Sequence, residues 1–184
     1  MSDGVSQFVL LCEDEAQERL VREYLKRGGF KKLERLVRPF VASRMQHGGN
    51  DTWVLNEFPR QLHACRKRQA KSLLIIVLDA DNHSVEQRRH ELSERAKTAG
   101  IAPVSANDPA AFLIPKRHIE TWLRALLGEK VTEEEDCKPW KKPDRDIFRN
   151  AANTLFSWTR ENATAGPTCV PSLQTALPEW RRIG

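Results

Sequence analysis

The sequence predicts an α/β fold with a mainly parallel sheet flanked by helices, and three observations carry that prediction. Two continuous apolar runs of strand length, Phe8-Val9-Leu10-Leu11-Cys12 and Leu73-Leu74-Ile75-Ile76-Val77-Leu78, read as strands buried on both faces. Segments of helical character follow the strand candidates, so the two element types alternate along the chain. Both runs end abruptly in acids, Glu13 after the first and Asp79 with Asp81 after the second. At 184 residues the chain suits a single domain spanning 1–184, with the strand-rich core at about 5–127 and a C-terminal helical extension at about 128–184.

The elements follow in order. After the first strand, Leu20 and Tyr24 recur at helical spacing from Ala16 until Gly28-Gly29 stops the helix. The stretch Phe30–Val41 mixes bases with Leu33, Leu36, Val37 and Phe40 and has room for a second strand. His47–Asp51 reads as a loop, and Glu57–Lys71 as a basic helix carrying Arg60, Arg66, Lys67, Arg68 and Lys71. The run 73–78 is the most apolar of the chain and takes the central position in the sheet. Ser84 and Gln87 have the capping-box spacing for a helix to about Thr98, closed by Gly100. Ile101–Val104 is expected to be a strand and Ala110–Ile114 another. Pro115 then leads into a helix through Leu127. The charged stretch Glu129–Asp146, with Pro139 and Pro143, is a surface connection to a helix over 144–160, and a short final helix follows Pro171.

Thirty Lys and Arg face 25 Asp and Glu, a net charge of +5, which favours an anionic partner, nucleic acid first. No stretch approaches the roughly 18 consecutive apolar residues of a membrane span, and Met1–Gln7 lacks the pattern of a secretory leader. Cys12, Cys65, Cys137 and Cys169 form no CxxC pair, so neither a zinc ribbon nor a disulfide framework is expected and a reducing cytoplasm fits. No repeat or P-loop is present.

In open α/β sheets ligands bind beyond the carboxyl ends of the strands. Asp79 and Asp81 are two apart, so in extended chain their side chains point to one side. If the two strands are neighbours, Glu13 joins them. Three clustered carboxylates repel one another, and a hard divalent cation such as Mg²⁺ or Mn²⁺ relieves that repulsion while keeping positions open for phosphate oxygens. Each acid alone has an ordinary reading as a turn or cap residue. Glu15 and Glu18 read as first-turn acids favoured by the helix dipole. Arg88 and Arg89 read as an exposed face, and His118 as structural.

The elements Phe8-Val-Leu-Leu-Cys-Glu13 and Leu73-Leu-Ile-Ile-Val-Leu-Asp79-Ala-Asp81 resemble the Toprim domain of topoisomerases, primases and OLD-family nucleases. The segment Ile114-Pro-Lys-Arg-His-Ile-Glu120-Thr-Trp122-Leu is similar to a strand-to-helix element of its small stand-alone and OLD-like members. The resemblance implies a Rossmann-like core in which Glu13, Asp79 and Asp81 are the metal ligands and Glu120 joins them as a catalytic acid. Asp14 stands where that family usually has a glycine, and Gln17 where it often has an acid. A bacterial response-regulator receiver is a rival resemblance for the Leu11–Glu15 start, but Asp79 belongs to an Asp-x-Asp pair and Lys116 follows its proline instead of preceding it.

Two functions follow from the Toprim resemblance. The first is a Mg²⁺- or Mn²⁺-dependent nuclease acting on DNA or RNA in phage defence or DNA repair, with Glu13, Asp79, Asp81 and Glu120 catalytic, Lys116 and Arg117 binding the substrate, and an ATPase partner. The second is a non-catalytic Toprim-like subunit that binds nucleic acid or protein.

Overall fold

Four strands, β1 (Gln7–Cys12), β2 (Val37–Val41), β3 (Ser72–Val77) and β4 (Ala110–Leu113), form one all-parallel sheet in the order β2-β1-β3-β4. The computed structural model describes residues 5–45, 49–68, 71–134 and 144–184. β1 and β3 lie side by side in the middle, with Cys12 opposite Val77. Both strands are almost wholly buried, which explains their unbroken apolar runs.

The period of two sorts these residues between two cores. Phe8, Leu10, Ile75 and Val77 pack against α1 (Glu15–Arg27), α6 (Ile119–Leu126), α7 (Arg145–Thr159) and α8 (Pro171–Ile183). Val9, Leu11, Leu74 and Ile76 face the other way, onto α4 (Asn50–Lys67) and α5 (Val85–Thr98). Two single-turn helices, α2 (Leu33–Leu36) and α3 (Ala42–Met45), bracket β2. The C-terminal helices belong to the first core: Phe148, Leu155, Leu173 and Trp180 are buried in it with the sheet residues.

The cap of α5 was legible in the sequence and that of α1 was not. Ser84 accepts from the Gln87 N–H while the Gln87 side chain accepts from the Ser84 N–H, a complete capping box. Asp14 caps α1 by accepting from the Gln17 N–H at 3.0 Å.

Several boundaries differ from the sequence expectation. The undecided stretch before Val41 resolves into α2 and β2, started by Lys32 in the left-handed region at φ 57°. The basic helix starts earlier, at Asn50, and carries Pro59 within it. Ile101–Val104 is irregular instead of a strand, because Pro103 has no N–H for a ladder and the Arg66 guanidinium takes the carbonyls of Ala102 and Pro103 at 2.7 and 3.0 Å. α6 starts at Ile119, so Lys116 and Arg117 lie in the turn before it and do not oppose its dipole from within. The final helix is 13 residues long. Arg88 is buried, not part of an exposed face.

Trp122 and Trp180 are fully buried and Trp158 nearly so. Cys12, Cys65 and Cys169 are free thiols. Cys137, Trp140, Pro139, Pro143 and His47 fall outside the described residues. Among the described residues no helix is long and apolar enough to cross a membrane.

Candidate metal-binding and catalytic site

The strand order makes the gap between β1 and β3 the place where the chain reverses its direction of winding. From β1 it moves outward to β2, and then crosses back over β1 to β3 and β4. At such a switch point the connections leave in opposite directions and open a crevice beyond the carboxyl ends. Glu13 follows β1 and Asp79 follows β3 by two residues, so both acids stand at its mouth.

They are coupled directly. Glu13 Oε1 accepts from the Asp79 N–H at 2.7 Å. Gln17, one turn into α1, joins both residues: its Oε1 accepts from the Glu13 N–H at 2.8 Å and its Nε2 donates to Asp79 Oδ1 at 2.9 Å. The Asp79 carbonyl accepts from Arg88 Nε at 3.2 Å. Asp79 is therefore held through its N–H, its carbonyl and one carboxylate oxygen, while Oδ2 faces His118 Nδ1 at 3.7 Å.

Asp81 is placed by strain as well as by charge. Its φ of 51° puts it in the left-handed region, which Asp tolerates better than most residues and which costs of order 1 kcal/mol. Its carboxylate lies 3.9 Å from His118 Nδ1 on one side and 3.9 Å from Arg88 Nη2 on the other. Arg88 is itself clamped by Asp51 at 3.1 Å and Glu91 at 2.8 Å. Asp51, despite partial burial, is held below the usual carboxylate range by the Thr52 N–H and by Arg88.

The crevice acids titrate in the opposite direction. Burial, then the Asp79 charge, pushes Glu13 up to about 8. Burial, then the charges of Asp14, Glu120 and Asp81, raises Asp79 well above the usual carboxylate range. Two carboxyls thus hold their protons to higher pH than exposed ones do, because they are buried and have other acids as neighbours.

Lys116 reaches across the mouth of the site, its Nζ donating to the His83 carbonyl at 2.9 Å, just beyond the Asp79-Ala80-Asp81 turn. Arg117 turns away to Glu134 at 3.7 Å, and its buried Nε has no hydrogen-bond partner. Glu120 stands in the first turn of α6, close enough for its charge to act on Asp79. Among the described residues no three His, Cys, Asp or Glu side chains close into a coordination shell as they stand. The donor chemistry nevertheless fits a hard cation, because Mg²⁺ is usually held by one or two carboxylates with water completing its octahedron. With Glu13 Oε1 engaged by the Asp79 N–H, Oε2 is the oxygen Glu13 would offer as a third ligand.

Sequence reasoning passed over Gln17, His118, Arg88 and Asp51 as site residues. Gln17 is in register with the buried stripe Leu20, Val21 and Tyr24, and Arg88 with Leu92 and Ala96. A polar side chain on a buried stripe is the signal that finds them. His118 carried no such mark.

No protein-family model, no curated protein and no solved structure matches the chain.

Proposed function

We propose that this chain is a Toprim-type, divalent-metal-dependent protein that hydrolyses or otherwise processes nucleic-acid phosphodiesters. The observation that carries the reading is the meeting of Glu13 and the Asp79-x-Asp81 turn at the switch point of a β2-β1-β3-β4 parallel sheet. Raised carboxyl pKa values in that crevice support it, since perturbed acids mark sites whose missing charge arrives with a ligand.

Asp79 and Asp81 would hold Mg²⁺ or Mn²⁺ together with Glu13. When bound, such an ion polarises the phosphate and makes a neighbouring water more acidic. The chain's own residues supply the rest. Gln17 and Arg88 fix Asp79 through its carboxylate and its carbonyl, so the D-x-D turn is preorganised. Lys116, whose Nζ donates to a backbone carbonyl, neutralises charge on the phosphate, and Arg117 joins it on leaving Glu134. Glu120 positions the attacking water or takes its proton. The Toprim resemblance brings an ATPase partner into this reading, and any ATP hydrolysis would fall to that partner, since the sequence has no P-loop.

A second reading, a non-catalytic binding subunit, is favoured by one observation: the Gln17 amide donates to Asp79 Oδ1 and the Asp79 N–H to Glu13 Oε1, so one oxygen of each acid has a partner without an ion.

Hydrolysis of plasmid, single-stranded DNA and RNA in Mg²⁺ or Mn²⁺ separates the two, with Asp79→Asn as control. The catalytic reading expects metal-dependent cleavage lost in the variant. Cleavage by both proteins alike, or by neither with its ATPase present, favours the binding subunit.

A further inference from the structure

We propose that the opposite rim of the sheet, at the amino ends of β2, β1 and β3, is a second nucleic-acid contact that grips the phosphodiester backbone without reading sequence.

Because the strands are all parallel, everything that enters them lies at one end. The segment 27–36 leads from α1 into β2 and brings Arg27, Lys31, Lys32 and Arg35; the end of α4, leading into β3, brings Lys67 and Arg68. The packing locks the two groups together. Phe30 stacks edge-on against Phe8 of β1 at 5.0 Å, Phe8 lies in register with Val37 and Leu73, and Arg68 Nη1 donates to Gln7 at 2.8 Å. Neighbouring strands are about 4.8 Å apart, so three strand ends span about 10 Å. Besides Lys71, which directly precedes β3, these six cations stand on the segments that enter the rim, with one acid among them, Glu34.

Lys116, Lys130, Arg160 and Arg181 are scattered cations that form no ion pair among the described residues; the rim is where several such cations share one end of the sheet. Elsewhere Arg22, Arg60, Arg66, Arg89, Arg124 and Arg182 each sit on a carboxylate. Among the described residues Arg27, Lys31, Lys32, Arg35 and Lys67 form no ion pair, and Arg68 meets only a neutral amide. Five of the six are exposed, and Arg68 partly so. Crowded like charges repel, and a row of backbone phosphates relieves that repulsion with release of counter-ions. Among the described residues the aromatic ring of this segment, Phe30, is packed on Phe8 and offers no stacking platform, so the contact proposed is to the backbone.

A strand of six residues spans about 20 Å, so the basic rim stands at the far end of the sheet from the acid crevice. Only a long polymer engages both. This rests on the nucleic-acid reading above, but its test needs no catalysis.

Fluorescence anisotropy of labelled duplex DNA and single-stranded RNA, in EDTA and over a salt series, compares the wild type with Lys31→Ala/Arg35→Ala/Lys67→Ala and with the charge-conserving Lys31→Arg/Arg35→Lys/Lys67→Arg. The alanine variant is expected to bind at least about tenfold more weakly, with its salt slope on duplex shallower by about 2 to 3, since each lost phosphate contact removes about 0.9. The charge-conserving variant keeps wild-type affinity. Equal binding by wild type and alanine variant overturns the proposal, as does a wild type that binds anionic lipid vesicles in place of nucleic acid. Binding through the rim, with no cleavage in the separate Mg²⁺ or Mn²⁺ assay with the ATPase present, upholds this contact and defeats the catalytic reading. Hydrolysis with rim-independent binding does the reverse.

Discussion

Asp79 and Asp108 are equally buried, each 8% exposed, yet their acidities move in opposite directions. Asp108 lies before β4 and has its own cation: Arg66 meets its two oxygens at 2.7 and 2.6 Å, and the Ser105 N–H adds a third bond. The Arg66 hydrogen bond, ahead of burial, fixes its sign, and Asp108 is held below the usual carboxylate range. At the other end of the sheet Asp79 is ringed by Asp14, Glu120, Asp81 and Glu13, with one guanidinium, Arg88, given to its carbonyl. Surface exposure is the same in both places, but burial comes first among the causes that raise Asp79 and its acid neighbours add to it, whereas at Asp108 the Arg66 hydrogen bond outweighs burial. An acid that ties a loop down arrives with its partner in the chain. The crevice acids lack the positive charge that would balance them, and a divalent ion would supply it.

The sharpest way to break this contrast is to neutralise each acid in turn. Asp79→Asn is expected to reduce metal-dependent phosphodiester hydrolysis by at least about 100-fold, while raising the melting temperature of the metal-free protein at pH 8, because it removes like-charge repulsion. Asp108→Asn should do the opposite, leaving activity intact and costing about 2 kcal/mol in a urea titration, since Arg66 loses its paired carboxylate.

A smaller effect lies in the pH dependence. In the fold Glu13 holds its proton up to about 8, whereas in an unfolded chain it loses it near the ordinary 4.5. Its contribution to stability is therefore complete below about 4.5 and declines as pH rises towards 8. Melting curves between pH 5 and 8 should show that decline in the metal-free protein and a shallower one in Glu13→Gln. Saturating Mg²⁺ should stabilise the wild type more at pH 8 than at pH 6, because ion and protons compete for the same oxygens. A Mg²⁺ effect independent of pH would dissolve the contrast with Asp108. The smallest effect is expected at Ser84: Ser84→Ala opens the capping box of α5 and should cost about 1 kcal/mol, with activity retained.

The alternation of elements, the central place of the run 73–78 and the acids at the ends of both runs were legible because burial on both faces leaves an unmistakable run of Leu, Ile and Val; that the two runs pair directly is a finding of the structure. β2 was not, since its entry depends on a left-handed Lys32 and its five residues include Arg38 and Pro39. Nor was the failure of Ile101–Val104 to form a strand, decided by Arg66 reaching across from α4. In the site, the three acids could be named from strand ends alone. The side chains that hold them could not, because Gln17, Arg88 and His118 take their meaning from partners 62, 9 and 39 positions away in the chain.

The most direct measurement is an anomalous difference map from crystals soaked in Mn²⁺. The account predicts a peak between the carboxyl ends of β1 and β3, within coordinating distance of Asp79 and Asp81, that vanishes in Asp79→Asn. A map with no peak there, and with Glu13 still bonded to the Asp79 N–H, would contradict it.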